Sequence, residues 1–527
     1  MRCSMKWPDA TRLRSTLPCR SLKAELLFRT RAPPDMCYSF KHALVQDAAY
    51  ESLLKSRRQV LHRRIADALR ERFTTIAESE PEIVAHHFTQ SGLAEAAIEW
   101  WEKAAERAMH GSAFNEAIAH LEKAGGLAEE LPESPTRRLL RARVQTTYGY
   151  ALLHSRGQAV PETRAAFAKA CDLAAGIDDI GLRLSACWGL WVGSFVRGEL
   201  RPMREAAEAF MRDAQRWPGS LEAAVAHRVV GATCWFQGDY RGARLHLEQA
   251  VASYDAERDR QSITRFGYDS GMIAHVNLGS VLWPLGDVDR ATRLIEKALG
   301  LARQTGHIPT VVLARAQRCT FFAMRREPDK ASADTSLDLA REHGLPFLTV
   351  LNTMFLAWVR GSAGDSERLT RMRQAMASLR DMGSRLFEPL YDALLAEMEV
   401  EAGQTEAGLA TLDAQLAAVE QSGQRWYEAD MHRVRGDLLL KRHPPDVTAA
   451  EVAFTRAIEI ARSQQTRTFE LRAALSLAKL HKATGGGKAA RELLALAVAG
   501  FTEGRELPEV AEANRLLASL EQMFGAA

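Results

Sequence analysis

The residues that most invite a chemical reading lie near the C-terminus, where residues 484–488 read TGGGK. Glycine amides at a helix start can cradle phosphate. A phosphate loop, however, needs a first Gly five positions before the Gly-Lys pair and a Ser or Thr after it. This chain places Lys482 and Ala489 there, and the preceding Leu475 to Leu480 stretch reads as helix rather than strand. The segment is therefore expected to be a turn. The adjacent His86-His87 and the His42 and His62 pair form neither HExxH nor a His/Cys ligand set. The seven cysteines (Cys3, Cys19, Cys37, Cys171, Cys187, Cys234, Cys319) have no neighbours closer than sixteen positions, a spacing that excludes CxxC and fits reduced thiols. The acidic pairs Asp178-Asp179 and Glu129-Glu130 fall in expected turns or helix ends, where solvation accounts for them. No catalytic residue, cofactor or metal ligand is assigned, and the chain is read as a non-enzyme.

Two further groups of residues could bind rather than react. Trp100, Trp101, Trp188, Trp191, Trp235, Trp283 and Trp358 could stack on a ligand, but their helical spacing makes them fillers between packed helices. Arg57, Arg58, Arg63 and Arg64 form the candidate basic contact surface within a head, residues 1–72, that carries 16 Lys+Arg against 7 Asp+Glu. A basic helix without base-reading side chains is weak support for nucleic-acid recognition, so nucleic acid is not the expected partner.

The elements that must position these residues are helices. Length (527 residues), 46% hydrophobic and 26% charged content describe a foldable chain of three to five domains or one long array. The longest apolar runs span about nine residues, well short of the roughly 18–20 that cross a bilayer. A cytoplasmic location without membrane insertion is expected. Apolar residues recur at three- and four-residue spacing, strand-like alternation is nearly absent, and Ala, Leu, Glu and Arg dominate between short Gly/Pro/Asp breaks.

Residues 274–302, AHVNLGSVLWPLGDVDRATRLIEKALGLA, carry the spacing of two antiparallel helices. Gly279, Ala291 and Ala298 permit close approach, Leu282 and Ile295 fill the space, and Gly286-Asp287 ends one helix and offers an N-cap to the next. The unit resembles a tetratricopeptide repeat. Its offsets return at Gly231, Gly238, Ala243 and Ala250, and at Ala450 and Ala457 after Gly436. The first small residue of each second helix falls at 243, 291, 333, 450 and 490, longer steps than the standard repeat of about 34. Longer helices or longer loops must absorb the excess, and the copies near 369 and 408 are degenerate. An all-α helical-hairpin solenoid with a concave face follows.

The segments FKHALVQDAAYESLLKSRRQVLHRRIADAL (40–69), PEIVAHHFTQSGLAEAAIEWWEKAAERA (81–108) and WYEADMHRVRGDLLL (426–440) resemble bacterial signalling proteins that join a class III nucleotidyl cyclase, a STAND-type ATPase and a tetratricopeptide array. The resemblance implies four regions. Residues 1–23 would be a disordered or non-native start, and 24–75 the end of a winged-helix-like, ATPase-associated helical element. The first repeats would occupy 76–130 and the array 131–527. It also implies a sensor that binds a protein partner or small effector on its concave face, with the cyclase and ATP-binding loop ahead of this segment. The alternatives are the sensory half of a STAND-type transcriptional regulator that meets DNA through the basic head, or a cyclase or ATPase by family label.

Overall fold

The computed structural model describes residues 5–6, 27–29, 37–40 and 43–525, apart from 158–159, 328–329, 360–365, 500, 502–503 and 505–506. The chain divides into two compact units, Met1–Ala104 and Ala105–Ala527.

The first unit is not wholly helical. Met5–Lys6, Leu27–Arg29 and Cys37–Phe40 form a small antiparallel sheet with the last strand in the centre. Strands of two to four residues are too short for period-two alternation to register in the sequence, which is why helix alone was expected there. Of residues 1–23 only Met5–Lys6 are described, and they are strand, paired with Tyr38 and Cys37; the rest of that expected disordered start lies outside the described residues. The helices Ala43–Glu51, Lys55–Arg72, Thr74–Ser79 and Pro81–Ser91 follow. Lys55–Arg72 buries only His62 and Ala66, and His62 Nδ1 meets His87 Nδ1 of Pro81–Ser91 at 2.7 Å. That packing joins residues beyond 75 to the first unit.

In the second unit, Phe114–Glu130 is followed by nine antiparallel hairpins among the described residues. The first three are Pro135–Arg156 with Pro161–Ala174, Ile180–Arg197 with Leu200–Ala214, and Leu221–Phe236 with Tyr240–Ala252. The next three are Ser270–Leu285 with Val288–Thr305, Ile308–Met324 with Lys330–Glu342, and Pro346–Val359 with Ser366–Asp381. The last three are Glu388–Glu401 with Thr405–Ser422, Glu428–Leu439 with Val447–Gln464, and Arg467–Ala483 with Gly487–Ala499, closed by Pro508–Gly525. The fold is the expected helical-hairpin solenoid.

Small residues set the distance within each hairpin. A Cβ on Gly279 would lie 2.9 Å from the Ala291 carbonyl oxygen, one on Gly231 2.7 Å from Leu247 Cγ, and one on Gly436 2.4 Å from the Phe454 ring. Ala243, Ala291, Ala298, Ala450 and Ala457 are fully buried and Ala250 nearly so. Gly286 ends its helix in the left-handed conformation at φ 94°, its backbone N–H bonding back into the last turn. The expected cap at Asp287 is absent: its side chain makes no cap hydrogen bond and instead lies 3.7 Å from Arg290. Asp239 and Asp446, at the same point of the third and eighth hairpins, do cap, accepting from Gly242 N and Ala449 N. The long step from 243 to 291 is an insertion that holds the 3₁₀ turn Arg258–Gln261 and the short helix Ser262–Phe266. The degenerate copies near 369 and 408 are true hairpins that bury Leu369, Met372 and Gly408.

Candidate functional site

Every helix leaves its last carbonyl oxygens without an intrahelical donor. In the first helix of several hairpins those carbonyls are met by donors from far along the chain. Val196 O accepts the backbone N–H groups of Arg385 and Leu386 at 2.8 and 3.1 Å. Gln424 Nε2 donates to Gly198 O at 2.9 Å; in the opposite sense, the hydroxyl of Tyr240, which opens the third hairpin's second helix, donates to Trp426 O in the 3₁₀ turn Arg425–Tyr427. Thr468 Oγ1 donates to Trp283 O at 2.7 Å. The second hairpin thus meets the seventh, the third the eighth and the fourth the ninth. Each contact joins hairpins five places apart, with four between them, so the superhelix completes a turn in that distance and successive turns stack edge to edge.

Aromatic rings fill this seam. Trp235 and Phe236 lie 5.2–6.3 Å, centre to centre, from Phe387 and Trp426, and Trp283 lies 5.7 Å from Phe469. Of the seven tryptophans read as fillers, Trp101, Trp188, Trp191, Trp235 and Trp283 are buried, whereas Trp100 and Trp358 are half-buried.

Beside the rings sits an ion cluster drawn from four hairpins. Asp430 is fully buried and accepts from Arg433 Nε at 2.6 Å and the Tyr427 hydroxyl at 2.7 Å. Arg326 Nη2 lies 3.6 Å from the same carboxylate and Arg472 Nη1 4.0 Å. Arg326 also pairs with Glu397 at 3.0 Å, Arg433 with Asp437 at 2.6 Å, and Arg472 with Glu509. Burial opposes the charged form of Asp430, but Arg433, Arg472 and Arg326 outweigh it and hold its carboxyl well below the usual carboxylate range. Arg472 further donates to Met324 O and Arg325 O at 2.7 and 2.9 Å, capping the end of the fifth hairpin's first helix. The cluster fastens the fifth, seventh, eighth and ninth hairpins together.

Along the seam between the third and eighth hairpins opens a groove of about 630 Å³. Asp239, Arg241, Arg425, Glu428, Arg456 and Glu459 line it with both signs of charge. Its floor includes Gly238, at φ 83°, where a Cβ would stand 2.5 Å from Gln464 Nε2. Glu428 is raised by burial, against the pull of Arg425 and Arg456. Such a surface suits a polar segment carrying both charges better than a phosphate or a base stack. Among the described residues no group of three or more His, Cys, Asp or Glu is placed to hold a metal, and no helix is long and apolar enough to cross a membrane.

The residues singled out in the sequence fare differently. Gly238 joins the groove, and Gly231, Gly279, Ala243, Ala291 and their counterparts stay within hairpins as packing positions. Arg57, Arg63 and Arg64 are exposed on Lys55–Arg72, and Arg58 is half-buried over the Tyr50 ring at 5.1 Å. Helical geometry turns Arg57 and Arg64 to one side and splays Arg58 and Arg63 away to either side, so the four do not share one face. The TGGGK segment is the turn inside the ninth hairpin, with Gly485 at φ 89°. His87 is buried against His62, and its imidazole pKa falls to about 4 through burial and the nearby His62 and His86. Sequence reasoning missed the seam and the ion cluster. Trp426, Tyr427, Asp430, Arg433 and Asp437 lie in the 426–440 segment quoted for the family resemblance, but nothing in their types marks a contact five hairpins away.

The tetratricopeptide repeat family matches residues 274–305, the fourth hairpin. An uncharacterized protein of Rhizobium meliloti is 24% identical over 462 residues, which cover 86% of this chain and 44% of that protein; the chain spans less than half the length of this relative. The structure of a Rap protein complexed with competence and sporulation factor aligns at a TM-score of 0.50 and 13% identity, over 71% of this chain and 98% of that one. A STAND protein with a tetratricopeptide repeat sensor from Pyrococcus horikoshii aligns at 0.36 and 15% identity, over 74% of this chain and 57% of that one. The chain therefore contains a tetratricopeptide repeat and has the helical-solenoid fold.

Proposed function

We propose that this chain is a non-catalytic, cytoplasmic sensing and interaction module, the regulatory part of a cyclase–ATPase signalling protein. Its occupant is a polar protein segment or small effector. The observation that carries the reading is the groove of about 630 Å³ on the seam, whose charged walls come from hairpins that are neighbours only because the superhelix turns. An occupant there touches two turns at once, so binding and superhelical closure are coupled. The Rap protein is solved with a factor bound, which fits an effector-binding use of such a fold. The test has two parts. Reading the DNA ahead of Met1 in all three frames should find a cyclase domain and a phosphate loop, and in the restored protein Arg425→Glu with Arg456→Glu should change nucleotide turnover in response to its effector. Absence of both coding segments, or turnover by the pure chain alone that one substitution abolishes, overturns the reading.

A further inference from the structure

Cys171 and Cys187 lie sixteen positions apart in the sequence, in different hairpins, yet their sulfur atoms stand 3.2 Å apart. The cause is an alanine-rich helix contact. Ala170 and Ala174 of the first hairpin's second helix pack with Ala186 of the second hairpin's first helix and with Ala142. Methyl-sized side chains let the two backbones approach until the cysteines one position along each helix touch. Both thiols are free and half-buried, so a small solute reaches them, unlike the buried Cys319.

We infer that Cys171 and Cys187 are a reversible redox pair that a hydroperoxide converts to a disulfide, clamping the first hairpin to the second. The Cys171 sulfur attacks the peroxide oxygen; an S–O bond forms, the O–O bond breaks, and the alcohol leaves with the thiol proton. The Cys187 sulfur then attacks the Cys171 sulfenic acid; the S–S bond forms, the S–O bond breaks, and water leaves with the second proton. Two thiols lose two electrons and the peroxide gains them. The order of attack follows the surroundings. The hydrogen bond with Cys187 lowers the Cys171 thiol against the effects of burial and Asp172. That same bond, burial and Asp213 all raise Cys187, with Arg183 opposing. The inference is independent of the proposed effector binding.

Trypsin separates the pair cleanly, leaving Cys171 in peptide 170–183 and Cys187 in peptide 184–197. The intact folded chain is treated with hydrogen peroxide, alkylated, digested without reductant and mapped by mass spectrometry. The expected result is a 170–183/184–197 cross-link that dithiothreitol removes, formed at peroxide levels that leave the half-buried Cys234, in peptide 229–241, alkylated. The Cys187→Ser variant should trap a dimedone adduct on Cys171, whereas Cys171→Ser should leave Cys187 alkylated. If the serine variants do not fold, Cys187→Ala and Cys171→Ala, which suit the alanine-rich contact, replace them. Separate peptides with both cysteines alkylated, or cross-linking no more readily than Cys234 oxidises, overturns the inference.

Discussion

The fourth hairpin and the seam are held together by different kinds of contact. In the hairpin, Gly279, Ala291, Ile295 and Ala298 meet across at most nineteen positions, and their sizes alone dictate how near the helices come. In the seam, Thr468 bonds Trp283 O and Gln424 bonds Gly198 O across 185 and 226 positions. These are ordinary side chains meeting ordinary helix-end carbonyls. A repeat is therefore written in residue size, whereas the stacking of turns is written in the rotation each repeat adds to the last.

The comparison breaks most visibly at the ion cluster. Asp430→Ala leaves Arg326, Arg433 and Arg472 without their shared buried carboxylate. The expected loss is about 3–5 kcal/mol by urea unfolding, with hydrogen exchange rising in the fifth, eighth and ninth hairpins together.

Acid should act next. Burial, then the nearby His307, pushes the His154 imidazole down to about 3; burial likewise takes His307 and His432 to about 4. Each folded-state pKa lies below the ordinary 6.5, so between roughly pH 6.5 and 4 the unfolded chain binds more protons than the folded one. Stability is therefore whole above about pH 6.5 and falls as pH drops through that window. At pH 5 His154 alone accounts for about 2 kcal/mol, and His154→Phe should flatten the dependence of Tm on pH between 7 and 5.

Gly279→Ala tests the hairpin side. Its Cβ would meet a backbone oxygen at 2.9 Å, so the helices must part. Overpacking of about 1–3 kcal/mol, offset by about 1 kcal/mol of helix propensity, leaves a net loss on the order of 1 kcal/mol. Exchange should rise in the fourth hairpin and leave the eighth unchanged.

Thr468→Val removes one seam hydrogen bond and should cost about 1 kcal/mol, whereas Asp287→Ala, at a cap position that makes no cap bond, should change unfolding by less than about 0.5 kcal/mol. Equal effects from the two would erase the distinction between seam and hairpin.

Much of the hairpin was readable in advance. Gly286 had to be left-handed because only glycine ends a helix so cheaply there, and buried Ala243 and Ala457 followed from period and size. Asp287 misled because an aspartate after a helix-ending glycine suits a cap, while Arg290 and Arg244 nearby draw its carboxylate aside. The cysteine spacing held for what it addressed, since the described thiols are free, but sixteen positions say nothing of a meeting across two hairpins. The small sheet in the first unit escaped because its strands are shorter than one detectable period.

Residue type and periodicity by themselves determined that the second unit is a stack of antiparallel helical hairpins and where the helices touch in the third, fourth and eighth of them. They did so because both depend on neighbours a few tens of positions apart. Only the tertiary structure decided that the stack closes every five hairpins, that Asp430 lies among three arginines, and that Cys171 meets Cys187. Those outcomes depend on small rotations summed over many repeats, a quantity no single stretch of the chain contains.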